Sequence, residues 1–328
     1  MQTILVAGVL NQPFGSWPSA SQSSDGISWT QITTPFAVND YCTSLATNSQ
    51  LTAISNQRGY LAVTSDMVNF TQVAINDGFG TTSIAQGNGA WCAVGSYNYI
   101  NGFGPYLPGT EVAQIYKSIY GSSQWQMVWS HPNNNSEFYQ IVYFPNAPIN
   151  EIENKDVFVA VGNNGYNAGD IWYSLDYGTS WIQAAIPTGV GIIYSVGLYQ
   201  LDGRYVWYWG CNSRVFISTT LHSPTWSEPI ELTTGDIAVG ISVDGEGAIV
   251  INGVNRLYIS LDGVVFSSFD QLGYVFNSVV VFPYNNRYRW IAFARSTLTQ
   301  YTMWYTDDLR TWTPWNNNIE VQGATINS

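Results

Sequence analysis

The sequence predicts an all-β chain, and three observations carry that prediction. A short turn motif recurs along the whole length. An apolar hairpin with a turn signal at its tip lies ahead of most copies. Aromatic residues make up 15% of the 328 positions, a composition suited to strands and buried wedges.

The clearest motif copy is Ser174-Leu-Asp176-Tyr-Gly178-Thr-Ser-Trp181. Degraded copies are Ser23-Ser-Asp25-Gly26-Ile-Ser-Trp29, Thr64-Ser-Asp66-Met-Val-Asn-Phe70, Ser118-Ile-Tyr-Gly121-Ser-Ser-Gln-Trp125, Ser218-Thr-Thr-Leu-His-Ser-Pro-Thr-Trp226, Ser260-Leu-Asp262-Gly263-Val-Val-Phe266 and Thr306-Asp-Asp308-Leu-Arg-Thr-Trp312. The seven starts are spaced by 41, 54, 56, 44, 42 and 46 residues. That is the period of a four-stranded propeller blade, about 40–50 residues. The expected fold is therefore a single seven-bladed β-propeller domain over residues 1–328, with four antiparallel strands, A to D, in each blade.

Each element has a local cause. An aromatic-rich strand C, such as Ile171-Trp172-Tyr173-Ser174, enters the turn. Asp then hydrogen-bonds the turn backbone and Gly supplies positive φ. Strand D opens on Trp or Phe, so Trp29, Trp125, Trp181, Trp226 and Trp312 are expected wedges between blades. The A–B hairpins turn at Asn88-Gly89, Asp202-Gly203 and Asp244-Gly245, strong hairpin signals between alternating strands. Only 22 residues precede the first motif, enough for strands B and C of blade 1. The expected closure pairs Gly323–Ser328 with Thr3–Val9 as the missing A strand, which removes the open edges.

The copy at 174–181 resembles the Asp-box, or BNR, repeat, Ser/Thr-x-Asp-x-Gly-x-x-Trp. Four copies keep Asp in a turn one residue shorter, and those at 118 and 218 lose it. Proteins with this repeat include sialidases, sortilin-type receptors, some glycoside hydrolases, photosystem assembly factors and virion domains. The resemblance implies a propeller, and it implies that Asp25, Asp66, Asp176, Asp262 and Asp308 are turn scaffolding on the face opposite the usual active site. It does not fix an activity. The sialidase Phe-Arg-Ile-Pro-type signature is absent, and Thr3–Ser21 contains no arginine for a substrate carboxylate.

Charge excludes further classes. Charged residues are 10% of the chain, with 22 acids, 10 bases and a net charge of −12. A phosphate-binding surface needs clustered Lys and Arg, so nucleic acid is not an expected partner. No apolar run is long enough to span a bilayer as a helix, so membrane insertion is not expected. Cys42, Cys92 and Cys211 have no paired spacing, and only His131 and His222 could join them, so neither a metal site nor any cofactor is expected.

An enzyme is not expected. A pair of acids for glycoside hydrolysis would come from Glu111, Asp170, Glu137 and Asp77, read as solvated loop charges. His222 falls in a C–D turn, and His131 in a D–A connection, where it is read as a loop hydrogen-bonder. The candidate binding residues lie instead on long B–C connections, Leu10–Ala20, Ser96–Glu111 and Asn163–Asp170. They are Phe14, Trp17, Tyr97, Tyr99, Phe103, Tyr106, Asn164 and Tyr166. Such aromatics could stack on sugars, anchor a protein interface, or fold over the rim of the ring. The scarcity of charge favours life in an assembly. The leading expectation is a structural or adhesion module of a phage-like virion, with other virion proteins as partners and a host-surface glycan as a second ligand class. The alternatives are an extracellular or periplasmic lectin and a glycoside hydrolase.

Overall fold

The structure is a computed structural model that describes residues 4–12, 15–25, 28–37, 40, 42–76, 78–97, 111–201, 204–222, 224–270, 274–296 and 301–315. They form seven antiparallel sheets, six of four strands and one of three. Blade 1 holds Ile4–Gln12, Gly15–Ser23 and Thr30–Thr33. Blade 2 holds Cys42–Thr47, Thr52–Asn56, Tyr60–Thr64 and Thr71–Ala74. Blade 3 holds Phe79–Gly87, Ala90–Tyr97, Val112–Ser118 and Gln126–Ser130. Blade 4 holds Ser136–Pro148, Asn154–Asn164, Gly169–Ser174 and Ile182–Gln183. Blade 5 holds Ile193–Leu201, Arg204–Cys211, Arg214–Ser218 and Ile230–Glu231. Blade 6 holds Ala238–Val243, Ile249–Gly253, Arg256–Ser260 and Ser267–Asp270. Blade 7 holds Tyr274–Tyr284, Arg287–Ser296, Tyr301–Thr306 and Thr313–Trp315.

In blades 2 to 7 the strands follow the order A, B, C, D. The second strand of one blade lies against the first strand of the next, and Ile4–Gln12 takes that position against Cys42–Thr47. It is therefore strand B of blade 1, as the motif spacing implies. The expected A strand, Gly323–Ser328, lies outside the described residues. Blade 1 does meet blade 7 through side chains. Trp29 packs on a cluster of Val280, Phe282, Ile291, Phe293 and Met303 from blade 7. Its ring meets Phe293 edge-on at 6.2 Å.

The core is one apolar cluster per blade boundary, not a single mass. The expected wedges fill these clusters. Trp125 packs at the boundary of blades 2 and 3, Trp181 at 3 and 4, Trp226 at 4 and 5, and Trp312 at 6 and 7. Phe70 and Phe266 take the same place at boundaries 1–2 and 5–6. A ring stabilised this way loses two interfaces if one blade is displaced. Removing a buried Trp typically costs about 3–5 kcal/mol.

The Asp turns work as hydrogen-bonded caps. In the full copy, Asp176 Oδ1 accepts the N–H of Thr179 (3.1 Å) and of Ser180 (2.8 Å), and Gly178 N–H donates to Ser174 Oγ. The shorter copies shift the caps by one residue: Asp66 Oδ1 accepts from Val68 and Asn69 at 2.9 and 2.8 Å. Where Asp is lost, Ser118 Oγ accepts the N–H of Tyr120 and Gly121 instead. The bonds from Asn69 and then Val68 hold the Asp66 carboxyl below its ordinary pKa. Those from Val265 and Val264 do so for Asp262, and those from Thr311 and Arg310 for Asp308. A carboxyl with a depressed folded pKa stabilises fully above its unfolded value, about 3.9, and that contribution fades as pH falls further. The destabilisation caused by Asp66→Asn, measured by urea unfolding, is therefore expected to be full at pH 6 and to shrink below pH 4. A difference that stays constant down to pH 2.5 would contradict this origin.

The hairpins behave as expected at Asn88-Gly89, where both residues take positive φ. One expected loop is absent. Leu10–Ala20 is not a long connection: Leu10 pairs with Trp17 and Gln12 with Gly15, so only residues 13 and 14 join the strands. Gly15, Ser16 and Pro18 carry loop signals, but nine consecutive backbone pairings override them.

Candidate binding face

The A strands surround the central channel, and six of them share a distortion. A register shift sits near the start of each, at residues 43, 82, 139, 194, 239 and 277. A bulge adds one unpaired residue and re-aims its side chain. Here it helps line the channel: Thr43, Thr82, Tyr139, Tyr194 and Val239 surround a cavity of about 370 Å³. The strand opposite must come close, so small residues recur there. Gly95 and Gly162 face the bulges of blades 3 and 4, and a Cβ on either would overlap the carbonyl oxygen of Gly80 or Glu137.

Side chains bind the inner strands of neighbouring blades to each other. Thr82 Oγ1 donates to the Phe138 carbonyl (2.7 Å), Ser195 Oγ to that of Ala238 (2.9 Å) and Ser242 Oγ to that of Val279 (2.8 Å). Val196 N–H donates to Gln140 Oε1 at 2.8 Å. Among the described residues that line the cavity, hydroxyls and side-chain amides supply the polarity and none carries a formal charge.

Polar contacts pin the D–A connections, to strand C in blades 3, 4 and 6 and to the B–C turn in blade 2. In blade 3, Asn76 donates to the Tyr116 hydroxyl at 2.6 Å. In blade 6, the Tyr258 hydroxyl donates to buried Asp236 at 3.0 Å. In blade 2, Asp40 meets Arg58 at 2.7 Å. Blade 4 uses His131. Asn133 N–H donates to its Nδ1, so Nε2 carries the proton and donates to Asp170 Oδ2 at 3.0 Å. Asp170 also accepts from Trp172 Nε1 and Gln183 Nε2, at 2.7 and 2.9 Å. Thus Asp170 is no solvated loop charge: it is wholly buried in strand C and bonded to three side chains.

Glu137 is likewise on strand A, not in a loop. Burial raises its carboxyl pKa, against the hydrogen bond with Tyr139, and Glu111 adds to the rise. Burial, then Glu137, raises the Tyr139 hydroxyl, which accepts from Asn163 Nδ2 at 3.2 Å. The Tyr139 and Tyr194 rings lie 4.9 Å apart at the channel mouth. A carboxyl with a raised folded pKa weakens the fold once pH exceeds its unfolded value. Glu137→Gln is therefore expected to raise the melting temperature at pH 7, with the gain vanishing near pH 4. A gain of equal size at both pH values would contradict the burial of a charge.

Of the candidate residues, the structure describes the side chains of three. Tyr97 ends strand B of blade 3, is 39% exposed and lies over Gly78 of the preceding D–A connection. Tyr166 sits in the B–C turn of blade 4 and is 75% exposed. Asn164, at the end of that B strand, caps the turn through Oδ1 to the Tyr166 N–H, 3.0 Å. Trp17 lies within strand C of blade 1. Phe14, Tyr99, Phe103, Tyr106 and Asp77 lie outside the described residues. Tyr97 and Tyr166 therefore occupy adjacent blades on the face where the channel opens. Tyr139 and Tyr194 were not anticipated, and an unusual Tyr at the start of an A strand was their only signal. Cys42, Cys92 and Cys211 are buried thiols, and burial pushes Cys92 and Cys211 up to about 12. Among the described residues no three His, Cys, Asp or Glu side chains form a group able to hold a metal ion.

No protein-family model matches the sequence, and no curated protein matches it significantly. Solved structures do. The chain is similar to YCF48 bound to D1 peptide, with 14% identity and a TM-score of 0.59 over 90% of this chain and 92% of that one. It is similar to the WD40 β-propeller domain of Doa1, with 12% identity and a TM-score of 0.57 over 93% and 97%. It is also similar to a chain of the nidogen/laminin complex, with 10% identity and a TM-score of 0.52 over 82% and 94%. These likenesses establish the propeller fold.

Proposed function

We propose that the chain is a non-enzymatic interaction module, an Asp-box propeller of a phage-like particle, that holds a partner protein on the channel-mouth face. The observation that carries this reading is the exposure of Tyr97 and Tyr166 on adjacent blades of that face. Exposed tyrosines give large rigid contact area and a hydroxyl, the signature of protein interfaces. Low charge supports residence in an assembly. Propellers of this shape, YCF48 with D1 peptide among them, have been solved with polypeptide partners. The engagement of Asp170 with three donors supports a structural role for the most buried candidate acid.

Under this reading the chain sediments with its particle, and the double variant Tyr97→Ala, Tyr166→Ala is released while its melting temperature is unchanged. Retention of the variant at wild-type level would overturn it. Hydrolysis of fluorogenic glycosides that is lost in Glu137→Gln would overturn the non-enzymatic part. A second reading, glycan binding, is favoured by the hydroxyl-lined cavity with Tyr139 and Tyr194 at its mouth. A glycan array on the isolated chain tests it: binding lost in Tyr194→Ala supports it, and an empty array rejects it.

A further inference from the structure

The Asp-turn face, expected to be scaffolding alone, carries an apolar feature that folding does not require. Each Asp turn needs two backbone N–H groups, whatever their side chains. Asp308 Oδ1 takes them from Arg310 and Thr311, and Asp176 Oδ1 from Thr179 and Ser180. Asp262 Oδ1 takes them from Val264 and Val265, at 2.9 Å each. Among the Asp-bearing copies only that of blade 6 has aliphatic residues at both positions. Val264 is 66% exposed and Val265 70%, and Leu261 of the same turn is 56% exposed. Three aliphatic side chains on one turn form a local patch, unlike single scattered residues.

Beside the patch, a groove of about 280 Å³ separates blades 6 and 7. Leu261, Leu309, Ala248, Tyr288 and Trp290 form its apolar part. Asp244, Glu246, Asp307 and Asp308 line it against a single lining cation, Arg287. Asp307 is already paired with Arg289, so the rim keeps excess negative charge at Asp244 and Glu246. A second copy would bring the same negative rim, and a net charge of −12, against itself. A basic partner would be attracted.

We propose that the blade 6 turn and this groove form a docking site for a segment of another protein that carries aliphatic side chains next to lysine or arginine. The aliphatic groups cover Leu261, Val264 and Val265, and the cation enters the acidic groove. The site lies on the face opposite Tyr97 and Tyr166, so it is independent of the function proposed above.

The test uses the full chain and fluorescence anisotropy with a labelled peptide of alternating leucine and lysine. That peptide is expected to bind, and a leucine–glutamate peptide is not. The double variant Val264→Ser, Val265→Ser keeps both N–H caps and is expected to weaken binding at least tenfold with an unchanged melting temperature. Glu246→Lys, which alters only rim charge, is a second variant expected to do the same. Tyr166→Ala is expected to leave this binding unchanged. The proposal is overturned if neither peptide binds, if both bind equally, or if either variant binds like the wild type. Sedimentation showing wild-type self-association that the Val double variant abolishes would assign the patch to a second copy, and would overturn it too.

Discussion

Arg289→Ala is expected to destabilise the chain by about 2 kcal/mol, because it removes a buried guanidinium that ties the half-exposed Asp307 to the carbonyl of Asp25, one of the contacts that join the first blade to the last. Arg289 is 5% exposed on strand B of blade 7. Its Nε and Nη2 donate to the two carboxylate oxygens of Asp307, at 2.6 and 2.7 Å. Its Nη1 donates to the carbonyl of Asp25 in blade 1 at 3.0 Å, across 264 residues of sequence. The guanidinium also lies over the Tyr284 ring, 3.8 Å from its centroid. Lysine cannot form the same fork, so Arg289→Lys is expected to recover only part of the loss. Asp307 is 40% exposed, and Asp307→Asn is expected to cost about 1 kcal/mol, the scale of a partly solvated pair. Urea unfolding of the three variants gives the order directly. An Arg289→Ala chain as stable as the wild type would contradict a ring held shut at this boundary.

Gly162→Ala is expected to cost about 3 kcal/mol, at the upper end of overpacking changes, because the new methyl would overlap backbone and not a movable side chain. The obstacle is the Glu137 carbonyl oxygen, with the Phe138 Cα close behind. Gly95→Ala meets the Gly80 carbonyl in the same way and should behave alike. Gly89→Ala provides the comparison. Its φ is +78° with open space around the Cβ position, so the expected cost is only the left-handed penalty, about 1 kcal/mol. A ranking in which Gly89→Ala is the most damaging would mean that the bulges do not press strand B against strand A. It would also remove the reason why Tyr139 lines the channel.

The parts of the fold that repeat were legible in the sequence. Asp176, Gly178 and Trp181 act within a few residues of one another, and local turn chemistry announces itself in spacing. The wedge role of Trp29 and Trp312 followed from the same repeat. What did not repeat in residue type was hidden. The bulge positions hold Thr43, Thr82, Tyr139, Tyr194, Val239 and Asn277, six places with little in common, because a bulge is a backbone event that many side chains satisfy. Asp170 reads as a loop acid because Asn163, Gly165 and Asn167 precede it, while its partner His131 lies 39 positions earlier. Arg289 was equally silent, since its contact to Asp25 exists only when the ring closes. At Trp17, Gly15 and Pro18 signal a loop, and only the pairing of Trp17 with Leu10 shows the strand. On the candidate face, loop composition points to Tyr97 and Tyr166, and the structure shows both exposed. Tyr139 and Tyr194 needed the channel geometry.

Hydroxyl-radical footprinting of the chain, free and within the particle proposed to hold it, tests the binding face most directly. Tyr97 and Tyr166 are expected to be strongly oxidised in the free chain and protected in the particle. Ile152, 96% exposed on the opposite face at the blade 4 hairpin tip, is expected to react equally in both. Protection of Ile152 with Tyr97 and Tyr166 left fully reactive would contradict the assignment of function to the channel-mouth face.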